Sequence, residues 1–140
     1  MASASLARFL RTFHPTLRNR LPGSGKNSQL RLPFTPADLT DFLTNYGGST
    51  FNDGVYRLHR LDEIPHWTRL IEEAFPTLTG HIVPFGFDWL GREFVVDNQL
   101  SRDHEPLVRL VEPGTGQLFE IPETFTTFHE VELVDDPEAA

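Results

Sequence analysis

The stretch His81-Ile82-Val83-Pro84-Phe85-Gly86-Phe87-Asp88, followed by Trp89-Leu90-Gly91 and then Arg92-Glu93-Phe94-Val95-Val96-Asp97, decides the fold. Both arms are rich in β-branched and aromatic residues, and Gly91 suits a tight turn that needs positive φ, so the stretch reads as a β-hairpin. Further along, Leu107 to Val111 and Gln117 to Ile121 read as a second pair of strands. They are joined by Glu112-Pro113-Gly114-Thr115-Gly116, whose proline and two glycines are turn chemistry. A short helix carrying Phe125 and Phe128 is expected after Pro122, and Asp135 to Ala140 reads as a frayed acidic tail.

Working back from the hairpin, Ile64, Trp67, Leu70, Ile71, Ala74 and Phe75 fall on one arc of a helical wheel. His66, Arg69, Glu72 and Glu73 occupy the rest, and Pro76 closes the helix. Gly54 to His59 reads as a short strand. Thr35-Pro36-Ala37-Asp38 reads as a cap, a first-turn proline and a first-turn acid ahead of Leu39, Phe42, Leu43 and Tyr46, with Gly47-Gly48 as the stop. Leu6, Phe9, Leu10, Phe13 and Leu17 share an arc opposite Arg8, Arg11 and Arg18, which predicts an amphipathic helix that Pro15 ends or kinks. Such an acid-free, arginine-rich start is also how organellar transit peptides read; a helix kept in the mature chain is the preferred reading. Leu21 to Ser28 is turn-rich and polar and reads as a loop. The order implies a single α+β domain, an antiparallel meander of about four to five strands packed by three to four helices. A basic helix and loop occupy residues 1–33, the α+β domain residues 34–134, and the tail residues 135–140.

The 140 residues and 15.9 kDa suit one core, and a hydrophobic content of 39% excludes wholesale disorder. With no cysteine there is no disulfide, thiolate metal site or cysteine nucleophile. Apolar runs such as Ile82 to Phe87 are far short of the roughly 20 residues that span a bilayer, so no transmembrane segment is expected. Net charge is −8, unevenly spread: residues 1–37 contain six cations and no acid, and all 20 acids lie beyond them against six arginines. A surface this acidic repels nucleic acid and suits a basic protein partner. The expected compartment is the cytoplasm.

Candidate chemistry divides between catalysis and binding. Gly23-Ser24-Gly25-Lys26 lacks the glycine spacing and the Ser or Thr after lysine that a phosphate loop needs, so it reads as plain loop. Six histidines include no pair at zinc-hydrolase spacing. His129, Glu130 and Glu132 would point apart on a helix, so surface or capping roles are expected, with no metal and no cofactor. His81 and His104 flank the hairpin and could meet in space. Asp88, Glu93 and Asp97 lie on or beside the hairpin; two of them in a cleft could serve as general acid and base, though Asp also favours such turn positions on its own account. No Gly-x-Ser-x-Gly elbow occurs, and Ser24 and Ser101 fall in expected loops. The aromatic hairpin reads either as a supplier of core side chains or as a platform exposing Phe87 and Trp89. Asp62 and Glu63 open the third helix, and Glu72 and Glu73 lie opposite its apolar arc, where a partner would meet them.

The pattern Phe34-x-Pro36-x-x-Leu39-x-x-Phe42-x-x-x-Tyr46-Gly47-Gly48, followed by Phe51-x-x-Gly54-x-Tyr56-Arg57, resembles the opening of bacterial immunity-type domains. Phe85-Gly86-Phe87-Asp88-Trp89-Leu90-Gly91-Arg92, Glu112-Pro113-Gly114-Thr115-Gly116, Glu120-Ile121-Pro122 and Phe125-x-x-Phe128-His129 resemble their second half. The families in question are the SUKH superfamily and the immunity proteins cognate to type VI secretion DNase effectors. The resemblance covers about residues 34 to 134. It implies a non-catalytic α+β domain that neutralises a secreted toxin, often a nuclease, by covering its active site. The partner-binding set is then Asp62, Glu63, Glu72, Glu73, Phe87, Asp88 and Trp89. The alternatives from other classes are a small hydrolase or transferase using Asp88, Glu93 and a nearby histidine, and a housekeeping protein-interaction module.

Overall fold

A computed structural model describes residues 7–12, 15–18 and 32–132. The fold is α+β, built on one antiparallel sheet of seven strands in sequence order. These are β1 (Pro15–Arg18), β2 (Ser49–Phe51), β3 (Tyr56–Leu58), β4 (Ile82–Asp88), β5 (Glu93–Arg102), β6 (Glu105–Glu112) and β7 (Gln117–Thr124). The helices are α1 (Ala7–Thr12), α2 (Leu39–Tyr46), α3 (Ile64–Ala74) and α4 (Phe125–Thr127), the last continuing into a π-helical turn, Phe128–Glu132. None of these helices is long and apolar enough to cross a membrane.

Two short strands enlarge the sheet beyond the expected four to five. The N-terminal helix stops at Thr12, and Pro15 opens β1 instead of kinking a longer helix. Leu17 therefore pairs with Thr50 in the sheet. The second added strand, β2, follows directly on the Gly47-Gly48 turn, where the Gly47 N–H closes α2 on Leu43 and Gly48 takes φ 84°. The start of α2 also differs from expectation. The helix begins at Leu39, three residues past Pro36, and Asp38 makes no cap bond. Its carboxylate accepts a hydrogen bond from the Thr126 hydroxyl at 2.6 Å, tying α2 to the C-terminal helix. The loop expected at 21–28, the glycine-lysine segment 23–26 and the tail 135–140 lie outside the described residues.

Residues opposite one another across an antiparallel ladder share a face. Leu58, Gly86, Phe94 and Leu110 follow one face, and Arg57, Phe87, Glu93 and Val111 the other. The first face carries the main core, in which Phe9 of α1, Leu39 and Phe42 of α2, and Phe125 and Phe128 meet Tyr56, Phe85 and Phe94. Phe9 is fully buried, so the basic N-terminal helix is part of this core. The second face carries a smaller core in which Ile71 of α3 and Phe75, just past its end, cover Ile82, Val95 and Val111.

Two histidines, His59 and His129, belong to neither the surface nor a cap, contrary to expectation. His129 is wholly buried, its ring 4.6 to 5.6 Å from those of Phe9, Phe42, Tyr56, Phe85, Phe125 and Phe128. The Phe125 carbonyl, 2.8 Å from Nδ1, can only accept, so Nδ1 carries the proton. Nε2 then accepts from the Tyr56 hydroxyl at 2.7 Å. Burial drives the His129 pKa down to about 4, against the Phe125 bond, which raises it. Gly86 makes the arrangement possible. A Cβ there would lie 2.6 Å from the Arg57 carbonyl and 3.0 Å from the Tyr56 hydroxyl.

Candidate functional site

The β4–β5 turn is organised by one carboxylate. Asp88 Oδ1 accepts from the N–H groups of Leu90 and Arg92, and Oδ2 accepts from Arg92 Nε at 2.7 Å. Gly91 closes the turn at φ 80°. Asp88 is therefore buried and cannot face a partner, a correction to its place in the expected binding set. What it holds up is exposed: Trp89 is 66% and Leu90 57% accessible. An apolar pair in a turn this tight has no core to enter, and that signal was present in the sequence for Leu90 as well as for Trp89.

Gly91 lines a cleft of about 240 Å³ with Trp67, Leu70 and Ala74 of α3 and Pro113 of the β6–β7 turn. Leu70 is 42% exposed and Ala74 is also exposed, so the apolar arc of α3 is wider than the core it covers. Glu73, exposed and three residues from Leu70, borders this apolar strip, as does the exposed Arg69.

The other expected acids are less available. Asp62 Oδ1 accepts from Arg60 Nε at 3.0 Å, and Glu63 lies 3.4 Å from the same guanidinium. Glu72 is partly buried and accepts the Gly80 N–H at 2.8 Å, anchoring the end of α3 to the approach of β4. Of the four acids expected to form a displayed patch, Glu73 is the one with no bond among the described residues.

Across Trp67 lies a second cleft, of about 250 Å³, lined among others by Thr50, Arg57, His59, Arg60 and Phe87. Its floor is a ring stack: His59 lies 5.0 Å from Trp67 and 5.1 Å from Phe87, at interplanar angles of 22° and 29°. His59 Nε2 meets Glu93 Oε1 at 2.8 Å, both residues buried. The charge of Glu93 adds to burial, the larger cause, in raising the Tyr56 pKa well above its ordinary value. Phe87 is thus half in the stack and half on the surface. His59 was missed in the sequence, because a lone histidine after a short strand carries no motif.

The three hairpin carboxylates do not gather into a catalytic pair. Asp88 lies on the opposite face from Glu93, as the pairing of Phe87 with Glu93 and of Tyr56 with Asp88 requires. Asp97 is four residues from Glu93 along β5, about 13 Å, and is paired with Arg109 at 2.7 Å. His81 bonds Asn98, and His104 sits in the β5–β6 turn at φ 67°. No group of side chains among the described residues is arranged to hold a metal ion. No protein-family model, no curated protein and no solved structure matches the chain.

Proposed function

We propose that the chain is a cytoplasmic binding protein that neutralises a basic toxin domain, a nuclease being the class its acidity and its resemblance to immunity proteins favour. The observation that carries this reading is the projecting turn, where Trp89 and Leu90 stand in solvent on a support locked by Asp88. A rigid aromatic anchor beside an apolar cleft is how hot spots at protein interfaces are built, and a pre-ordered turn lowers the entropic cost of binding. Leu70 and Ala74 extend the contact, and Glu73 with the overall charge of −8 supplies attraction for a cationic partner.

The second reading, a hydrolase, is favoured by one observation, the His59–Glu93 pair beside a cleft. A general base needs access to the proton it removes. His59 is 1% exposed, stacked on two rings, and hydrogen bonded through its side chain to Glu93, with no hydroxyl among the described residues bonded to it. That geometry suits a strut between the end of β3 and the start of β5 better than a base.

Co-expression with a panel of basic nuclease toxin domains tests the binding reading. Restored growth and a co-purifying complex are expected from the wild type, with both lost in Leu90→Asp. Absence of any complex, or turnover of a substrate that disappears in Glu93→Gln with the fold intact, would overturn it.

A further inference from the structure

Beyond residue 37 the chain has six arginines. Arg60, Arg92, Arg102 and Arg109 each lie within 4 Å of a carboxylate: those of Asp62 and Glu63, Asp88, Glu123 and Asp97 respectively. Arg57 and Arg69 have no carboxylate partner among the described residues. Arg69 lies on the open surface of α3, whereas Arg57 lines the cleft floored by the His59 stack. In a molecule with 20 acids and 12 cations, an exposed arginine left unmatched at a cleft is the exception.

The surroundings say what it would meet. The Arg57 guanidinium carbon stands 5.7 Å from the centre of the Phe87 ring, within the range of a cation–π contact, which orients it without using its hydrogen-bonding fork. Trp67 and Phe87, both partly exposed, bring aromatic surface to the same cleft; Thr50, paired with Arg57 across β2 and β3, lines its wall, and the Glu63 carboxylate that also lines it is matched by Arg60 at 3.4 Å. A volume of about 250 Å³ lies below the roughly 300–1,000 Å³ of drug-sized ligand sites. It admits one ring system with one anionic group.

We propose that this cleft binds a small planar anion, its ring against Trp67 and Phe87 and its carboxylate or phosphate on the fork of Arg57. The cleft shares Trp67 with the one beside the Trp89 turn, but its anion-binding group, Arg57, lines this cleft and not the other.

The test is a titration of the full chain, followed by amide and indole NMR shifts. The probes are indole carboxylate and phenyl phosphate, with indole carboxamide and phenol as their neutral counterparts. Saturable shifts at Thr50, Leu58 and the Trp67 indole are expected for at least one anion, and the probe that binds identifies the anion as carboxylate or phosphate. Its neutral counterpart should bind roughly ten- to a hundredfold more weakly, the worth of a charge-assisted bond. Arg57→Ala should show the same loss with an unchanged thermal melt, and Arg57→Lys, which keeps the charge without the fork, an intermediate one. No saturable shift at millimolar concentration, equal binding of the neutral probes, or undiminished binding to Arg57→Ala would each overturn the proposal.

Discussion

His129 is a titratable group that the core holds in one protonation state. Its pKa of about 4 in the folded chain lies below the 6.5 of an exposed histidine, so between these values the unfolded chain binds a proton that the folded chain refuses. Stability then rises with pH through that window and falls on acidification, by about 3 kcal/mol between pH 6.5 and 4 from this group alone. Denaturant melts across this range should show that loss, and His129→Gln, less stable at neutral pH, should show a flatter dependence. An equal slope in the variant would mean that the imidazole is not neutral and buried. Asp88 gives the second test at this scale. Asp88→Ala removes three hydrogen bonds and the buried ion pair with Arg92, which should cost about 3 kcal/mol. A loss under about 0.5 kcal/mol in the same melts would show that the turn stands without it. The sequence marked Asp88 as a turn residue through its place before Leu90-Gly91. It could not mark His129 as a core residue, since the six rings around it come from segments spread along the chain.

Helix α3 was legible as an element but not in its exposure. The arc of Ile64, Trp67, Leu70, Ile71 and Ala74 is present, with Phe75 just past the helix end, yet only Ile64, Ile71 and Phe75 are buried. Periodicity locates a helix's apolar face; how much of that face the sheet covers depends on strands far away in sequence. Trp67, half-buried on the His59 ring, should therefore lose about 2 kcal/mol on change to Ala, less than the 3–5 kcal/mol of a fully enclosed Trp. Chemical denaturation decides between the two values. The hairpins were legible for a local reason: each turn carries its own chemistry, Asp88 with Gly91 and Glu112 with Gly116. By contrast β1 and β2, of four and three residues, exist because neighbouring strands pair with them, and no residue type in Pro15–Arg18 or Ser49–Phe51 announces that. Trp89→Ala and Leu70→Ser, at exposed positions, should each leave stability within about 0.5 kcal/mol of the wild type, as thermal melts would register.

At the scale of the whole molecule, the acidic balance and the projecting turn have separate kinetic consequences. Net charge acts through space and raises the rate of encounter with a cationic partner, an effect screened over about 8 Å at physiological salt. The apolar anchor acts on contact and sets how long the complex lasts. Arg60 matches Asp62 and Glu63, and Glu72 is bonded within the fold, so attraction near the binding face rests on Glu73 and on the field of the molecule as a whole. Glu73→Lys should accordingly slow association several-fold at low salt and leave dissociation nearly unchanged. The most direct measurement is stopped-flow mixing with a basic nuclease toxin domain, at low and high salt, for wild type and Trp89→Ala. Wild-type association is expected to fall steeply with added salt, and the Trp89→Ala complex to associate normally but dissociate at least about tenfold faster. Equal dissociation rates for wild type and Trp89→Ala, with the variant fully folded, would contradict the anchoring role of Trp89.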